Sequence, residues 1–152
     1  MKPVYQRIVD PEHGDCWRAA VASVLDLDLD DVPADIASGF AMESFLQARG
    51  LAALYLPLYR LKPHPNPTTL TTPWDARSLV RFDYAAGSIA VASVPSQKYP
   101  GGYHAIVVRF APQPQGWVRV ECIHDPNPGN EPYDMDATEI RSLLFFVQAE
   151  RD

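Results

Sequence analysis

HGDCWRAAVASVL, residues His13–Leu25, is the stretch from which the fold can be worked out. Gly14 and Asp15 are turn residues, and Asp15 is also a preferred residue for capping the start of a helix. The residues after Arg18 are small and apolar around nearly the whole helix, which is typical of a helix inside a domain. The sequence therefore predicts a buried helix that starts at Asp15, with Cys16 in its first turn.

Apolar runs farther along the chain predict strands, and most of them follow the helices. The predicted strands cover 51–56, 88–94, 103–110, 116–125 and 143–149. A second helix is predicted over 41–50, ending in a glycine, and a short third helix over 136–143. Helices first and strands later favour an α+β fold, with a central N-terminal helix packed on an antiparallel sheet. The length of 152 residues predicts a single domain, residues 1–152.

Composition limits the classes of partner. The chain has a formal net charge of -6 and no cluster of Lys and Arg, which argues against nucleic acid and against an anionic membrane surface as partners. The first residues lack the apolar region of a secretory signal, and no apolar stretch is long enough to span a bilayer. We therefore expect a cytoplasmic protein in which Cys16 and Cys122 are free thiols. The oligomeric state is left open by the sequence.

Prolines mark two segments as loops. Fifteen prolines occur in the chain, and they cluster in 59–74 and in 124–132. Proline lacks the N–H group that helices and sheets use, so both segments are expected to be loops. The proline-rich loop 62–74 is also long enough to be functional, and we expect it to form pocket walls together with 95–102.

Cys16 occupies a position that suits a nucleophile. The unpaired N–H groups and the positive end of the dipole at a helix N-terminus favour the thiolate form of cysteine. A thiol nucleophile also needs a base, and the base needs a group that orients it. Among the four histidines, His104 follows two glycines at the start of a predicted strand, where glycine allows close approach of another backbone or of a substrate.

A carboxylate is expected beside His104. If Phe110 opposes Trp117 in the predicted hairpin, His104 opposes Ile123, and Asp125 lies diagonally on the same face. A slip of one residue would turn Asp125 to the other face. In this register Asp125 orients the imidazole, which in turn holds Cys16 as thiolate.

The motifs resemble those of papain-like cysteine peptidases. GDCWRAA is similar to the start of their active-site helix, GGYHAIVV to their histidine strand, and HDPNPG to the Asp-Pro end of a strand in the bacteriocin-processing branch that cleaves double-glycine leader peptides. Small papain-like proteins of bacteria and phages show the most similar overall pattern. The resemblance implies the order Gln6, Cys16, His104, Asp125, with the Cys16 amide and Gln6 as oxyanion donors. It implies a thiol hydrolase that cleaves a peptide or isopeptide bond in a peptide or protein substrate, without a metal or cofactor.

Three alternatives remain open. A papain-like scaffold without turnover would act as a binding module. The same triad would also support acyl transfer to an amine, as in a transglutaminase. A zinc site is the third alternative, because His13, Cys16, Cys122 and His124 are ligand types that suit zinc, although their spacing is uncommon for it. Trp17 is expected in the core or the cleft wall, where it would cover the contact between histidine and aspartate.

Overall fold

The computed structural model describes residues 1–10, 12–61, 71–75 and 85–149. The two α-helices of this part are α1 (Cys16–Val24) and α2 (Gly39–Gln47), with one 3-10 turn at Leu29–Asp31 between them. The strands are β1 (Leu51–Pro57), β2 (Tyr59–Leu61), β3 (Thr71–Asp75), β4 (Ile89–Pro95), β5 (Tyr103–Pro112), β6 (Val118–His124), β7 (Glu139–Ile140) and β8 (Ser142–Gln148). The α+β class predicted from the sequence is confirmed. None of these described helices has the length and apolar character needed to cross a membrane.

Five strands form an antiparallel sheet in the order β1-β8-β4-β5-β6. Helix α1 packs on β4 and β5, two of its three inner strands. The smaller sheet has the order β2-β3-β7. The helix that carries Cys16 and the strand that carries His104 are therefore direct neighbours.

Alternation along β5 divides the core into two layers. Ala105 and Val107 pack with the helices, whereas Ile106, Val108 and Phe110 belong to the layer on the opposite face of the sheet. All five side chains are completely buried. Both faces of β5 are covered, which explains why its sequence reads as a nearly continuous apolar run.

The prediction of a short helix over 136–143 is wrong. The chain makes a turn there and then enters β7 and β8. Ile140 and Leu143 are completely buried in the layer that packs against Phe110. Burial in a sheet decides the conformation here over the weak local helix propensity.

The loop predicted over 59–74 is wrong in part. Its two ends are the paired strands β2 and β3, and Pro73 pairs with Tyr59. Strand β7 pairs with β3 only at Trp74 and Asp75, so the missing N–H of Pro73 removes no bond to that neighbour. Residues 62–70, the larger part of the loop 62–74 expected to form one pocket wall, lie outside the described residues. The second proline segment has no regular structure after His124, as predicted.

The N-terminal segment is fastened to the acidic turn that follows α1. The terminal ammonium group pairs with Asp26, Lys2 pairs with Asp28, and Arg7 forms a two-pronged pair with Asp30 at 2.7 and 3.0 Å. These pairs are exposed, so each contributes little to stability. Their common effect is to fix the path of residues 1–8 beside α1.

Candidate active site

His104 and Asp125 form the central contact of the site. Nε2 of His104 lies 2.6 Å from Oδ1 of Asp125. The two side chains are only 7% and 17% exposed, so water screens this contact weakly. The diagonal contact expected from the sequence is therefore present.

The register that produces this contact differs from the expected one. Phe110 pairs with Val120, not with Trp117. A β-bulge follows, because Val108 pairs with Cys122 whereas Val107 pairs with His124. Continued past His124, this register places Asp125 opposite Ile106, on the face that His104 shares. Without the bulge Asp125 would fall on the opposite face, so the extra residue in β6 re-aims the carboxylate.

The turn after Asp125 closes around its carboxylate. The backbone N–H of Asn127 donates to Oδ1 at 2.8 Å, and the side-chain amide of Asn130 donates to Oδ2 at 2.9 Å. Burial raises the pKa of Asp125, but the hydrogen bonds from His104, Asn127 and Asn130 outweigh it and hold that pKa below its usual value. Asp125 is therefore a carboxylate at neutral pH.

Cys16 interacts with the same imidazole. Burial lowers the pKa of His104, but hydrogen bonds with Asp125 and Cys16, together with their charges, raise it from 6.5 to about 9. Since Asp125 occupies Nε2, Nδ1 is the ring nitrogen that remains for the thiol. The structure thus brings Cys16, His104 and Asp125 together in one chain of contacts, as the sequence predicts.

Cys16 is the first residue of α1, and Asp15 precedes it at the capping position. The Asp15 carboxylate does not cap the helix; it accepts the backbone N–H groups of Arg7 at 3.1 Å and of Ile8 at 2.9 Å. The Asp15 side chain therefore leaves the N–H groups of the first turn of α1, around Cys16, uncapped.

Gln6 lies between the two halves of the site. Its backbone N–H donates to the carbonyl of Pro126 at 3.0 Å, and its side-chain amide donates to the carbonyl of Ile8 at 3.1 Å. The same Ile8 carbonyl accepts the N–H of Asp15, the neighbour of Cys16. Oε1 of Gln6 is buried and has no partner among the described residues. Gln6 is thus linked through the Ile8 carbonyl to Asp15, directly before the start of α1.

Tyr133 stacks on the His104 ring, a role for which the sequence suggested Trp17. The ring centroids lie 6.4 Å apart with an interplanar angle of 15°, and the Tyr133 hydroxyl donates to the carbonyl of Pro95 at 3.1 Å. Trp17 instead packs with the helix-side core. No signal in the sequence singled out Tyr133, because its partners are distant in the chain.

The segment 95–102, expected as a pocket wall, joins the two sides of the site. The Tyr99 hydroxyl donates to the carbonyl of Val9, in the segment before Cys16. The Gln97 side chain exchanges two hydrogen bonds of 2.8 and 2.9 Å with the backbone of Glu131. The loop before β5 is therefore tied to the loop after β6 and to the N-terminal segment.

Two cavities are found in the described part of the protein. One, of about 690 Å³, adjoins Asp125 and is bordered by polar side chains that include Asn130 and Tyr133. The other, of about 750 Å³, is a mainly apolar groove between α2 and β1 with Trp17 in its wall. We call the second cavity the apolar groove; its wall includes Met42, Leu46, Leu51, Tyr55 and Leu144.

The thiols and histidines of the zinc alternative do not converge. His13 is exposed and interacts with Asp10, whereas His124 is buried and bonds the carbonyl of Val4 at 2.8 Å. In the residues with described positions, no group of three or more His, Cys, Asp and Glu side chains is arranged to hold a metal ion. Both cysteines are free, and burial raises the pKa of Cys122 to about 11. Cys122 is therefore a poor nucleophile at neutral pH.

Comparison with known protein families, with curated proteins and with solved structures found no match.

Proposed function

We propose that the protein is a papain-like thiol hydrolase that cleaves a peptide or isopeptide bond. The observation that carries this proposal is the chain of contacts from Cys16 through His104 to Asp125. A thiol at a helix start, an imidazole and a buried carboxylate are the three groups that acyl transfer through a thioester requires. A raised pKa of the imidazole keeps it charged at neutral pH, and the imidazolium stabilises the thiolate of Cys16.

Each group has a distinct role in the proposed reaction. The Cys16 thiolate attacks the carbonyl carbon and forms a C–S bond, and the electron pair moves to the carbonyl oxygen. As the oxyanion collapses, the C–N bond breaks and His104 gives its proton to the leaving amine. His104 then removes a proton from water, which attacks the thioester, releases the carboxylic acid and regenerates the thiolate. Asp125 holds the ring through Nε2 during both steps.

The oxyanion is stabilised by N–H groups around Cys16. The Cys16 amide, in the unpaired first turn of α1, is one donor. The Gln6 side-chain amide, held at the Ile8 carbonyl beside that turn, supplies the second. Gln6 thereby keeps the role that the family resemblance implies.

The apolar groove suits the acyl part of a peptide or protein substrate. Its wall includes Trp17, the residue directly after the proposed nucleophile, which brings the groove near the start of α1. Glu43 is the one charged residue of its described wall, and the exposed ring of Tyr55 on β1 belongs to the same wall. We assign this groove to apolar side chains on the acyl side of the scissile bond. The proposed setting is the cytoplasm, where the thiols stay reduced.

Selective alkylation of Cys16 tests the proposal. Iodoacetamide below neutral pH is expected to modify Cys16 far faster than Cys122, as measured by peptide mass spectrometry. His104→Ala should abolish this low-pH reaction, and Cys16→Ala should remove activity while circular dichroism stays unchanged. Equal, slow modification of both thiols would favour a binding module without turnover.

A second measurement separates hydrolysis from transfer. A peptide library is incubated with the protein in isotopically labelled water, with and without an added primary amine. Hydrolysis places the label in a new carboxyl terminus, whereas transfer joins the amine to the acyl fragment. Label incorporation that the amine does not suppress is the expected result, and products found only with amine would assign the protein as an acyltransferase.

A further inference from the structure

The carboxylate of Asp125 accepts hydrogen bonds from two groups besides His104. Its Oδ1 accepts from His104 and from the backbone of Asn127, whereas its outer oxygen Oδ2 accepts from the side chain of Asn130. A carboxylate held by one oxygen alone can rotate about its Cβ–Cγ bond. A donor on the second oxygen removes that freedom.

We propose that Asn130 is a positioning residue, which fixes the Asp125 carboxylate so that Oδ1 stays on Nε2 of His104. This inference rests on the proposed function and extends it to the support of the triad. Asn130 acts through Asp125, five positions earlier in the chain.

Asn130 is itself held in place from two directions. Its side-chain oxygen accepts from the amide of Asn127 at 3.1 Å, and its backbone N–H donates to the Asn127 carbonyl at 3.2 Å. The next residue, Glu131, is bonded on both sides to Gln97, in the loop that leads into β5. Asn130 is therefore anchored within the turn that carries Asp125, and its neighbour Glu131 is anchored to the loop that leads into β5.

Among the described residues, ionisable groups from α1, β6 and the loop after β6 act on this center. Cys16 from α1, Cys122 from β6 and Tyr133 from the following loop interact electrostatically with His104 or Asp125. Cys122 and Tyr133 have pKa values raised to about 11 and about 12, so both are neutral over the pH range in which the triad works. A change in that range after substitution of Asn130 therefore reports on Cys16, His104 and Asp125.

The test compares Asn130→Ala and Asn130→Asp with Gln97→Ala as matched control. Gln97→Ala removes an amide that ties down the same loop but does not contact Asp125. The measurement is the rate of Cys16 alkylation by iodoacetamide against pH, together with the melting temperature of each variant. The acid limb is the low-pH side of this profile, where the alkylation rate rises with pH. A hydrogen bond to a charged group shifts a pKa by about one unit or more, so Asn130→Ala should move the acid limb to higher pH by about that amount.

Asn130→Asp should move the acid limb farther, because it sets a second carboxylate against Oδ2 without changing the size of the side chain. Asn130→Asp also provides the test if Asn130→Ala does not fold. Gln97→Ala is expected to lower the melting temperature and leave the limb in place.

Two results would overturn the inference. If the acid limb stays at the same pH in both Asn130 variants, or shifts equally in Gln97→Ala, Asn130 only stabilises the loop. The proposed roles of Cys16, His104 and Asp125 would not be affected by that result. If the wild-type protein shows no alkylation of Cys16 at low pH, the proposed function and this inference fail together.

Discussion

Replacing Asp125 by Asn is expected to lower the pH at which His104 loses its proton. Hydrogen bonding and charge from Asp125 and Cys16 raise the pKa of His104 from 6.5 to about 9 against the effect of burial. Asp125 is the larger of these two sources. Without its charge, burial drives the pKa of His104 back toward 6.5 or below.

The same change alters the pH dependence of folding. A pKa that rises from 6.5 to about 9 on folding is worth about 3 kcal/mol. Because the folded-state value is the higher one, this contribution is complete below pH 6.5 and is lost as the pH rises through about 9. The free energy of unfolding of the wild-type protein should fall by up to about 3 kcal/mol across that range. That of Asp125→Asn should stay nearly level.

Two assays measure this effect. Proton NMR follows the His104 ring, assigned by comparison with His104→Gln, and urea unfolding at a series of pH values gives the stability. Asp136→Asn is the matched control, because Asp136 is exposed and its substitution removes the same charge from the same loop region. A wild-type ring that titrates near 6.5, or equal titration in Asp125→Asn, would refute the reasoning.

Three further substitutions test other parts of the site. Gln6→Ala should lower kcat for a peptide substrate about a hundredfold and leave the alkylation rate of Cys16 unchanged, since alkylation forms no oxyanion; equal losses in both would contradict this role. Gly14→Ala makes its new Cβ overlap the carbonyl oxygen of Asp10, so urea unfolding should show a loss of about 1–3 kcal/mol in the free energy of unfolding, and unchanged stability would show that the turn can move. Met42→Lys should raise KM for apolar peptides about tenfold without affecting alkylation; an unchanged KM would remove the apolar groove from the substrate site.

The sequence predicted the meeting of His104 and Asp125 with a wrong register. Apolar alternation identified both strands, but it could not show how many residues β6 inserts between its paired part and its end. Phe110 pairs with a residue three positions beyond the expected partner, which turns Asp125 to the other face of the sheet. The bulge adds one more residue and turns Asp125 back. The two deviations together return Asp125 to the expected face. A bulge is an interaction between two strands, so neither strand predicts it alone.

The contacts that hold Asp125 in place were harder to predict than its contact with His104. Asn127 and Asn130 stand in a Pro- and Gly-rich turn, where asparagine is common for local reasons. Only the fold shows that one of them reaches back to Oδ2 of Asp125. The prediction of a helix over 136–143 was wrong for a related reason, because Ile140 is buried among core residues that are distant in the chain.

The bulge in β6 has a practical consequence for comparing proteins of this kind. Ile123 is the residue that β6 carries beyond the pairing needs of β5. In a homologue without this residue, β5 and β6 would pair regularly, and the residue equivalent to Asp125 would still lie beside the residue equivalent to His104. Patterns that demand a constant number of positions between these two residues would reject such a chain, so an alignment should permit a gap of one at Ile123.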